Sequence, residues 1–541
     1  VNPGHLLDDA SARALDFAWL HDALAPASAY GDRCYSAFAP FRAGEEEAAR
    51  ARAERVAVIA ARATAETLDA AREIFRSVPD AGGAIARASM GDTLADASLL
   101  ELQRFFDACE RFDALFARDG TFEPIAAGAV RECARALELG RSGKFGFYLA
   151  DAFDVQLAAA RAALSGSQAE YDAMRGRAAA RVAQALGREV SGNEFIVMRD
   201  GLRGPLPQGV RVVREAPTYV LCELDADDGT LAALARRDAA AAAVAAAEES
   251  VRRELASIVA AHAAALDRAM EMLGEADVLV AAARFAQAHD CCVATISAAP
   301  MLAFSSGVFV PLASELEREG RAFTRIDVDL DGVAVLTGPN MGGKSVCLRT
   351  CGFIALCAAF GVPVPAASAT VSLFDEIAWL GAGSGDEPGG LLSSFAREVV
   401  RLRDVLARSN GPLLVLLDEF ARTTTPREGR ALLVAVLRRL FAIGACGMAA
   451  THLDGVAAAA GARHFAVRGL RGIPERPRNA DLHAALDSLA ASMDYTLEEV
   501  ADGSRAAADA IALAELLGLD AELTAAARAA LASMPPSTGS G

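Results

Sequence analysis

The sequence predicts a mixed fold: an all-α N-terminal core and lever region of long helices with a small β tip, then a C-terminal α/β domain. Three observations predict it. Proline is absent between Pro124 and Pro205 and again between Pro217 and Pro300, so long helices can run there without a break. The stretch between those two, Gly187–Pro217, carries short β-like runs among glycines and prolines. From about Met301 short apolar runs alternate with helical patterns, the α/β signature.

Taken in order, the chain to about residue 125 reads as helical, and Glu45–Ser77 holds neither proline nor glycine. Asp151–Leu186 can form one long helix, broken or bent near Gly166. Thr230–Leu273 lacks glycine as well as proline and as a single helix would span roughly 65 Å; the alternative is two packed helices with a bend that the sequence does not mark. Phe195–Met198 and Val210–Val213 read as strands of the tip. These elements divide the chain into a helical core region at 1–150, lever helices at 151–300 with a reduced tip at about 187–217, and an α/β domain with C-terminal helices at 301–541. Two arms joined by a small β tip make a lever-like shape. The tip sets Arg188, Arg199, Arg203, Arg211 and Arg214 against Glu189, Glu194, Asp200 and Glu215. That near-balance is a poor grip for a phosphate backbone.

Composition narrows the partners. Net charge is −18, which excludes global electrostatic attraction to nucleic acid or an anionic membrane. Ten cysteines are scattered, mostly in apolar surroundings, without paired C-x-x-C motifs. They read as buried thiols of a reducing cytosol rather than as zinc ligands. His5, Asp8, Asp9 and Arg13 interrupt Val1–Leu20, so no secretory signal is expected and the location is read as cytoplasmic. The longest apolar run, Gly352–Val362, is too short to span a bilayer. Pro535–Gly541 reads as a floppy tail. Only two of 53 basic residues are lysines, Lys144 and Lys344, a bias of a GC-rich bacterial genome rather than of a function.

One of those lysines sits in chemistry that needs it. Gly338-Pro339-Asn340-Met341-Gly342-Gly343-Lys344-Ser345 is a G-x-x-x-x-G-K-S phosphate loop. A compact ammonium at Lys344 can reach between the β- and γ-phosphates of ATP. Val333–Leu336 before it reads as a buried strand and Val346–Phe360 after it as a helix, so backbone N–H groups of the loop and helix start face the phosphates. Lys344 is expected at a surface site. Leu413–Glu419 is an apolar strand ending in two acids. Asp418 with the Ser345 hydroxyl is expected to hold Mg²⁺, and Glu419 to orient and deprotonate the attacking water. Another apolar stretch, Ala445–Ala450, leads to Thr451-His452, where His452 can sense or polarise the γ-phosphate. A lone histidine is more often structural, and His5, His21, His262, His289, His464 and His483 are read that way.

These residues resemble the MutS family of ATPases, within the ABC-type class. The Pro-Asn-Met-Gly filling of the loop is similar, as are Phe374–Ile377 through Asp386, Ser393-Ser394-Phe395-Ala396-Arg397-Glu398, Asp418–Thr425, Ala450-Thr451-His452 and Met493-Asp494-Tyr495. The likeness is strong over about 301–515 and faint over about 90–300, where Ala276–Leu279 resembles the end of the family's lever. It implies an ATP- and Mg²⁺-dependent ATPase, a homodimer with composite sites, an adenine-stacking role for Phe323, nucleotide contacts from Gly338 to Val346, and completion of the partner subunit's site by Ser393 and Ser394. The alternative for those serines is capping of the helix beginning near Phe395.

The chain also departs from that pattern. No Phe-x-Glu mismatch wedge precedes the helical core. Gly-Arg-Gly-Thr is replaced by Ala421-Arg422-Thr423-Thr424. In this it looks like the truncated MutS-related ATPases associated with adenosylcobalamin-dependent lysine 5,6-aminomutase and related aminomutases. Two functions follow from the resemblance: ATP-driven remodelling of a protein client such as an aminomutase, or binding of duplex, mismatched or branched DNA. Charge and the near-neutral tip favour the first.

Overall fold

A computed structural model describes residues 4, 6–118, 120–142, 146–190, 192, 194–202, 204–339, 342–381, 394–408, 411–470, 492–500, 511, 514–515 and 519–533. The fold is rich in helices and contains both parallel and antiparallel sheets. It resolves into two compact units, one of residues 77–114 and 124–272, the other of 1–76, 115–123 and 273–541.

The first unit is built on two long helices, Val155–Leu186 and Asp228–Ala261. Each starts at an aspartate cap. Asp154 accepts the Gln156 N–H, and Asp227 accepts the Thr230 N–H and hydroxyl. These caps satisfy backbone donors that the first turn leaves unpaired. The first helix ends at Gly187, whose φ of +63° is the left-handed stop that glycine adopts without strain. No break occurs at Gly166, because the alanine-rich flanks favour helix and the glycine has open space around it.

The two helices run antiparallel, as three ion pairs record. Arg161 bonds Glu248 at 2.8 Å, Arg236 bonds Glu170 at 2.7 Å and Arg181 bonds Asp227 at 2.6 Å. Arg236–Glu170 and Arg181–Asp227 are exposed, and such pairs contribute about 0.2–1 kcal/mol each, so they set register more than stability. Of the two readings of Thr230–Leu273, the single helix is not found: the helix breaks and resumes. His262 leaves helical geometry (φ −110°, ψ 7°), its N–H bonds the carbonyl three residues back, and its ring reaches Glu132 at 3.0 Å. A new helix, Ala263–Ala288, begins at the next residue.

Between the long helices lies an antiparallel sheet of three strands, Glu194–Met198, Val210–Glu215 and a central Tyr219–Leu224. The sheet buries Phe195, Val197, Val220 and Cys222 against Val182 of the Val155–Leu186 helix. The sequence pattern revealed its two outer strands. The central one lies beyond Pro217 and was not anticipated.

The second unit carries two sheets. The larger has six strands in the order Glu376–Gly381, Leu413–Asp418, Cys446–Ala450, Val333–Thr337, Arg463–Leu470 and Met493–Glu499. The first five are parallel and the last is antiparallel. Leu413–Leu417 are all buried, as expected of a strand covered on both faces. The N-terminal segment covers the outer edge of this sheet. Ile377 and Trp379 donate their N–H groups to the Leu6 carbonyl and the Ser11 hydroxyl, so that edge offers few open donors. The smaller sheet orders Thr295–Ser297, Ser368–Ser372, Leu302–Gly307 and Ile326–Leu330. All ten cysteines are free thiols; seven are buried, and Cys34, Cys291 and Cys292 are half-buried.

A buried carboxylate ties the N-terminal segment to the helix Ala263–Ala288. Asp277 is 2% exposed and accepts the N–H of Ala27, the N–H of Ser28 and the Ser28 hydroxyl at 2.7–3.0 Å. Burial raises its pKa, and these donors oppose the rise. Removing it strands three donors. Asp277→Ala is therefore expected to cost about 2–3 kcal/mol, seen as a lower urea midpoint for the unit that contains it. An unchanged midpoint would show that the donors find other partners.

Candidate functional site

Sheet order creates the site. The Cys446–Ala450 strand lies between the Val333–Thr337 strand and the Leu413–Asp418 strand, with Leu336, Ala450 and Asp418 level across the three. The ladder continues one step further, as the Glu419 N–H bonds the Ala450 carbonyl and the Thr451 N–H bonds the Leu336 carbonyl. The glycine loop, the two acids and Thr451-His452 thus emerge side by side at the carboxyl ends of parallel strands, where open α/β sheets place their ligands.

The loop leads from the Val333–Thr337 strand into the helix Lys344–Ala359. Its glycines are sterically required. A Cβ at Gly338 would stand 3.0 Å from Val467, one at Gly342 would stand 2.9 Å from the Pro339 carbonyl, and Gly343 has φ +81°. Lys344 is not at the surface as expected. It is 6% exposed, and its ammonium donates to the carbonyls of Gly338 and Pro339 at 3.1 and 2.9 Å. Burial lowers its pKa, with Glu419 and Asp418 opposing. The ammonium therefore lies curled inside the loop. Asn340 and Met341 lie outside the described residues.

Opposite the loop, the Ser345 hydroxyl donates to Asp418 Oδ1 at 3.1 Å. Burial raises the Asp418 pKa, the Ser345 bond opposing it. A hydroxyl and a carboxylate at this separation form an all-oxygen donor pair, the set a magnesium ion prefers when phosphates and water complete its shell. Among the described residues no cluster of three or more metal-binding side chains occurs. Ser345 and Asp418 would thus supply only part of such a shell.

Glu419 is the most constrained residue of the group. It has φ +54°, and Ala421 two residues on has φ +62°. Non-glycine residues in this region carry strain of about 1–3 kcal/mol each. Neighbours hold the turn. The Ala421 N–H donates to Glu398 Oε2 at 3.0 Å, Arg422 donates to Glu419 at 2.8 Å, and His452 Nε2 lies 2.7 Å from Glu419 Oε1. Burial raises the Glu419 pKa, but the bonds from Arg422 and His452 outweigh it and leave the carboxyl below its ordinary range. Glu419 is accordingly ionised at neutral pH, as a proton acceptor must be. His452 is exposed toward the same space. In the sequence Glu398 stands only as the last residue of the Ser393–Glu398 motif. Its role in holding the turn after the acid strand needed the structure.

A cavity of about 800 Å³ adjoins the loop. Phe323, Arg321, Gly343, Val346, Cys347 and Tyr495 are among its lining residues. The structure thus brings Phe323 to the same space as Gly343 and Val346. His464, expected to be structural, lies beside the loop with Nε2 2.9 Å from the Thr337 hydroxyl. Ser393 lies outside the described residues, and Ser394 is the first residue of the helix Ser394–Arg408.

This geometry defines a class: a glycine loop at the start of a helix, facing two acids and a histidine across a parallel sheet, can hold a phosphate chain and its counter-ion. Comparison with known proteins narrows it. Residues 334–535 match the family model for MutS domain V. The chain is 30% identical over 277 residues to the DNA mismatch repair protein MutS of Shouchella clausii, covering 50% of this chain and 30% of that protein. It is 32% identical over 207 residues to the Endonuclease MutS2 of Pelotomaculum thermopropionicum (38% of this chain, 26% of that protein). It is 41% identical over 136 residues to the Endonuclease MutS2 of Thermomicrobium roseum (24% and 17%). The chain is thus similar to MutS and MutS2 proteins over its C-terminal part, where residues 334–535 match MutS domain V. The matches span less than a third of the length of those relatives. No helix among the described residues is long and apolar enough to cross a membrane.

Proposed function

We propose that this protein binds and hydrolyses MgATP and couples ATP-driven closure of a homodimer to remodelling of a partner. The observation that carries the reading is the convergence of Lys344, Ser345, Asp418, Glu419 and His452 at the ends of three adjacent strands. Lys344 swings from the loop carbonyls to the β- and γ-phosphates. Ser345 and Asp418 would hold Mg²⁺, which would offset phosphate charge there. Glu419, kept ionised and aimed by Arg422 and His452, takes the proton of the attacking water, and His452 reports the γ-phosphate to the neighbouring strand. Phe323 stacks on the adenine in the adjoining cavity. Ser393 and Ser394 of a second subunit complete the phosphate contacts, so binding energy that needs the γ-phosphate becomes dimer-closing energy.

For the partner, a protein client is favoured over DNA, and an adenosylcobalamin-dependent aminomutase is the client the sequence resemblance names. The arginines of the β tip support this. Arg199 pairs with Glu215 and Arg211 with Glu223, so two of the tip's guanidinium charges are already offset. The names of the relatives support the second reading, a DNA-structure or mismatch binder. Fluorescence anisotropy with duplex, mismatched and branched DNA at two salt concentrations, with MgATP, separates the two. The client reading expects binding no tighter than that of an unrelated acidic protein. Binding that is tight at low salt and falls steeply as salt rises would replace it with the DNA reading.

A further inference from the structure

A second cavity in the same compact unit lies away from the glycine loop. It has a volume of about 580 Å³ and opens between the helices Ala29–Ala37 and Glu46–Arg62 and the stretch Glu275–Leu279 of the helix Ala263–Ala288. That size suits a small molecule. Phe38, Phe41, Val278 and Leu279 give it apolar walls, and Arg52, Arg55 and Glu275 are its charged residues. Two arginines against one glutamate leave one positive charge unmatched.

Arg52 is the unusual member. Its guanidinium lies over the Phe38 ring at 4.3 Å, and its Nε is buried with no hydrogen-bond partner among the described residues. Burial lowers its basicity, Glu275 opposing. That Nε is shut off from the cavity, so a ligand there would meet the guanidinium through its terminal nitrogens. The cavity wall is also fixed rigidly. The Phe41 N–H donates to the Ala359 carbonyl at 2.7 Å, at the end of the helix that begins with Lys344. A Cβ at Gly361 would stand 2.8 Å from Phe41 and 2.9 Å from Arg52, so the backbone there approaches both side chains as closely as glycine permits.

We propose that this cavity binds a small organic anion with an apolar body, its carboxylate or phosphate head on Arg52 and its hydrocarbon against Phe38, Phe41 and Leu279. A guanidinium presents paired donors that match either head group, and stacking on Phe38 fixes the plane of the fork. The unmatched positive charge selects an anion over a neutral amphiphile.

Isothermal titration of the full chain with octanoate, octyl phosphate and neutral octanol tests this. At least one of the two anions is expected to bind at a single site, at least tenfold more tightly than octanol, and the stronger of the two identifies the head group. Arg52→Met is expected to weaken that anion at least tenfold and to leave octanol unchanged, while Arg42→Met, on a residue outside the lining, leaves both unchanged. Should Arg52→Met fail to fold, Ala51→Phe, which fills the cavity from its exposed rim, is expected to abolish anion binding with the melting temperature retained. The proposal is overturned if neither anion binds at millimolar concentration, if octanol binds as tightly, or if a folded Arg52→Met or Ala51→Phe variant keeps wild-type affinity.

Discussion

Replacing Lys344 by alanine is expected to lower ATP affinity at least thirtyfold, corresponding to about 2 kcal/mol of lost charge-assisted bonding. The ammonium belongs to the one lysine in the glycine loop, and it donates to the Gly338 and Pro339 carbonyls. Those bonds give the substitution a second, smaller effect. Lys344 is buried, so its removal opens space inside the loop and leaves two carbonyls without this donor. A modest fall in melting temperature should accompany the loss of affinity. Calorimetry with ATP separates the two effects, because a protein that is still folded yet binds ATP within about threefold of wild type would show that the loop does not hold phosphates.

Changing Glu419 to glutamine is expected to preserve MgATP binding and to slow hydrolysis by roughly 10²-fold or more, the scale of a lost general base. Glutamine keeps the shape: its single carbonyl oxygen can accept from Arg422, while its NH2 can donate to a neutral His452 Nε2, the two positions that the carboxylate oxygens occupy at 2.8 and 2.7 Å. The strained turn at Glu419 and Ala421 should therefore survive. With hydrolysis blocked, the ATP-bound dimer should accumulate, and sedimentation with and without MgATP reads that directly. Unchanged turnover would move proton acceptance to His452. A monomer in MgATP would remove dimer closure from the mechanism.

The elements that carry this chemistry were legible because each is a local pattern. Buried parallel strands write themselves as continuous apolar runs, so Val333–Leu336, Leu413–Leu417 and Ala445–Ala450 stood out. Glycine, lysine and serine at fixed spacing marked the turn between strand and helix. What joins these elements is non-local and was not legible. Nothing in the sequence says that the strand before His452 inserts between the other two, yet that insertion sets His452 beside Glu419. Nor does any glycine or proline announce the bend at His262, which arises at an ordinary helix former whose ring reaches Glu132. Ala421 is a further case. Alanine rarely adopts a positive φ, so only the structure reveals that a Glu398 carboxylate holds the turn. The burial of Lys344 also ran against expectation, because charge argues for exposure while the loop's own carbonyls supply an interior partner.

The scarcity of lysine has a practical consequence for watching the loop move. An acylating reagent that attacks free amines finds only Lys144, Lys344 and the chain's own terminus to modify. Lys344 is sheltered and donating to two carbonyls, which withdraws its nitrogen from nucleophilic attack. Its acylation rate is thus a clock for the opening of the glycine loop. Acylation also abolishes cleavage by lysyl endopeptidase at that position, so loss of the cut after Lys344 reads the same clock.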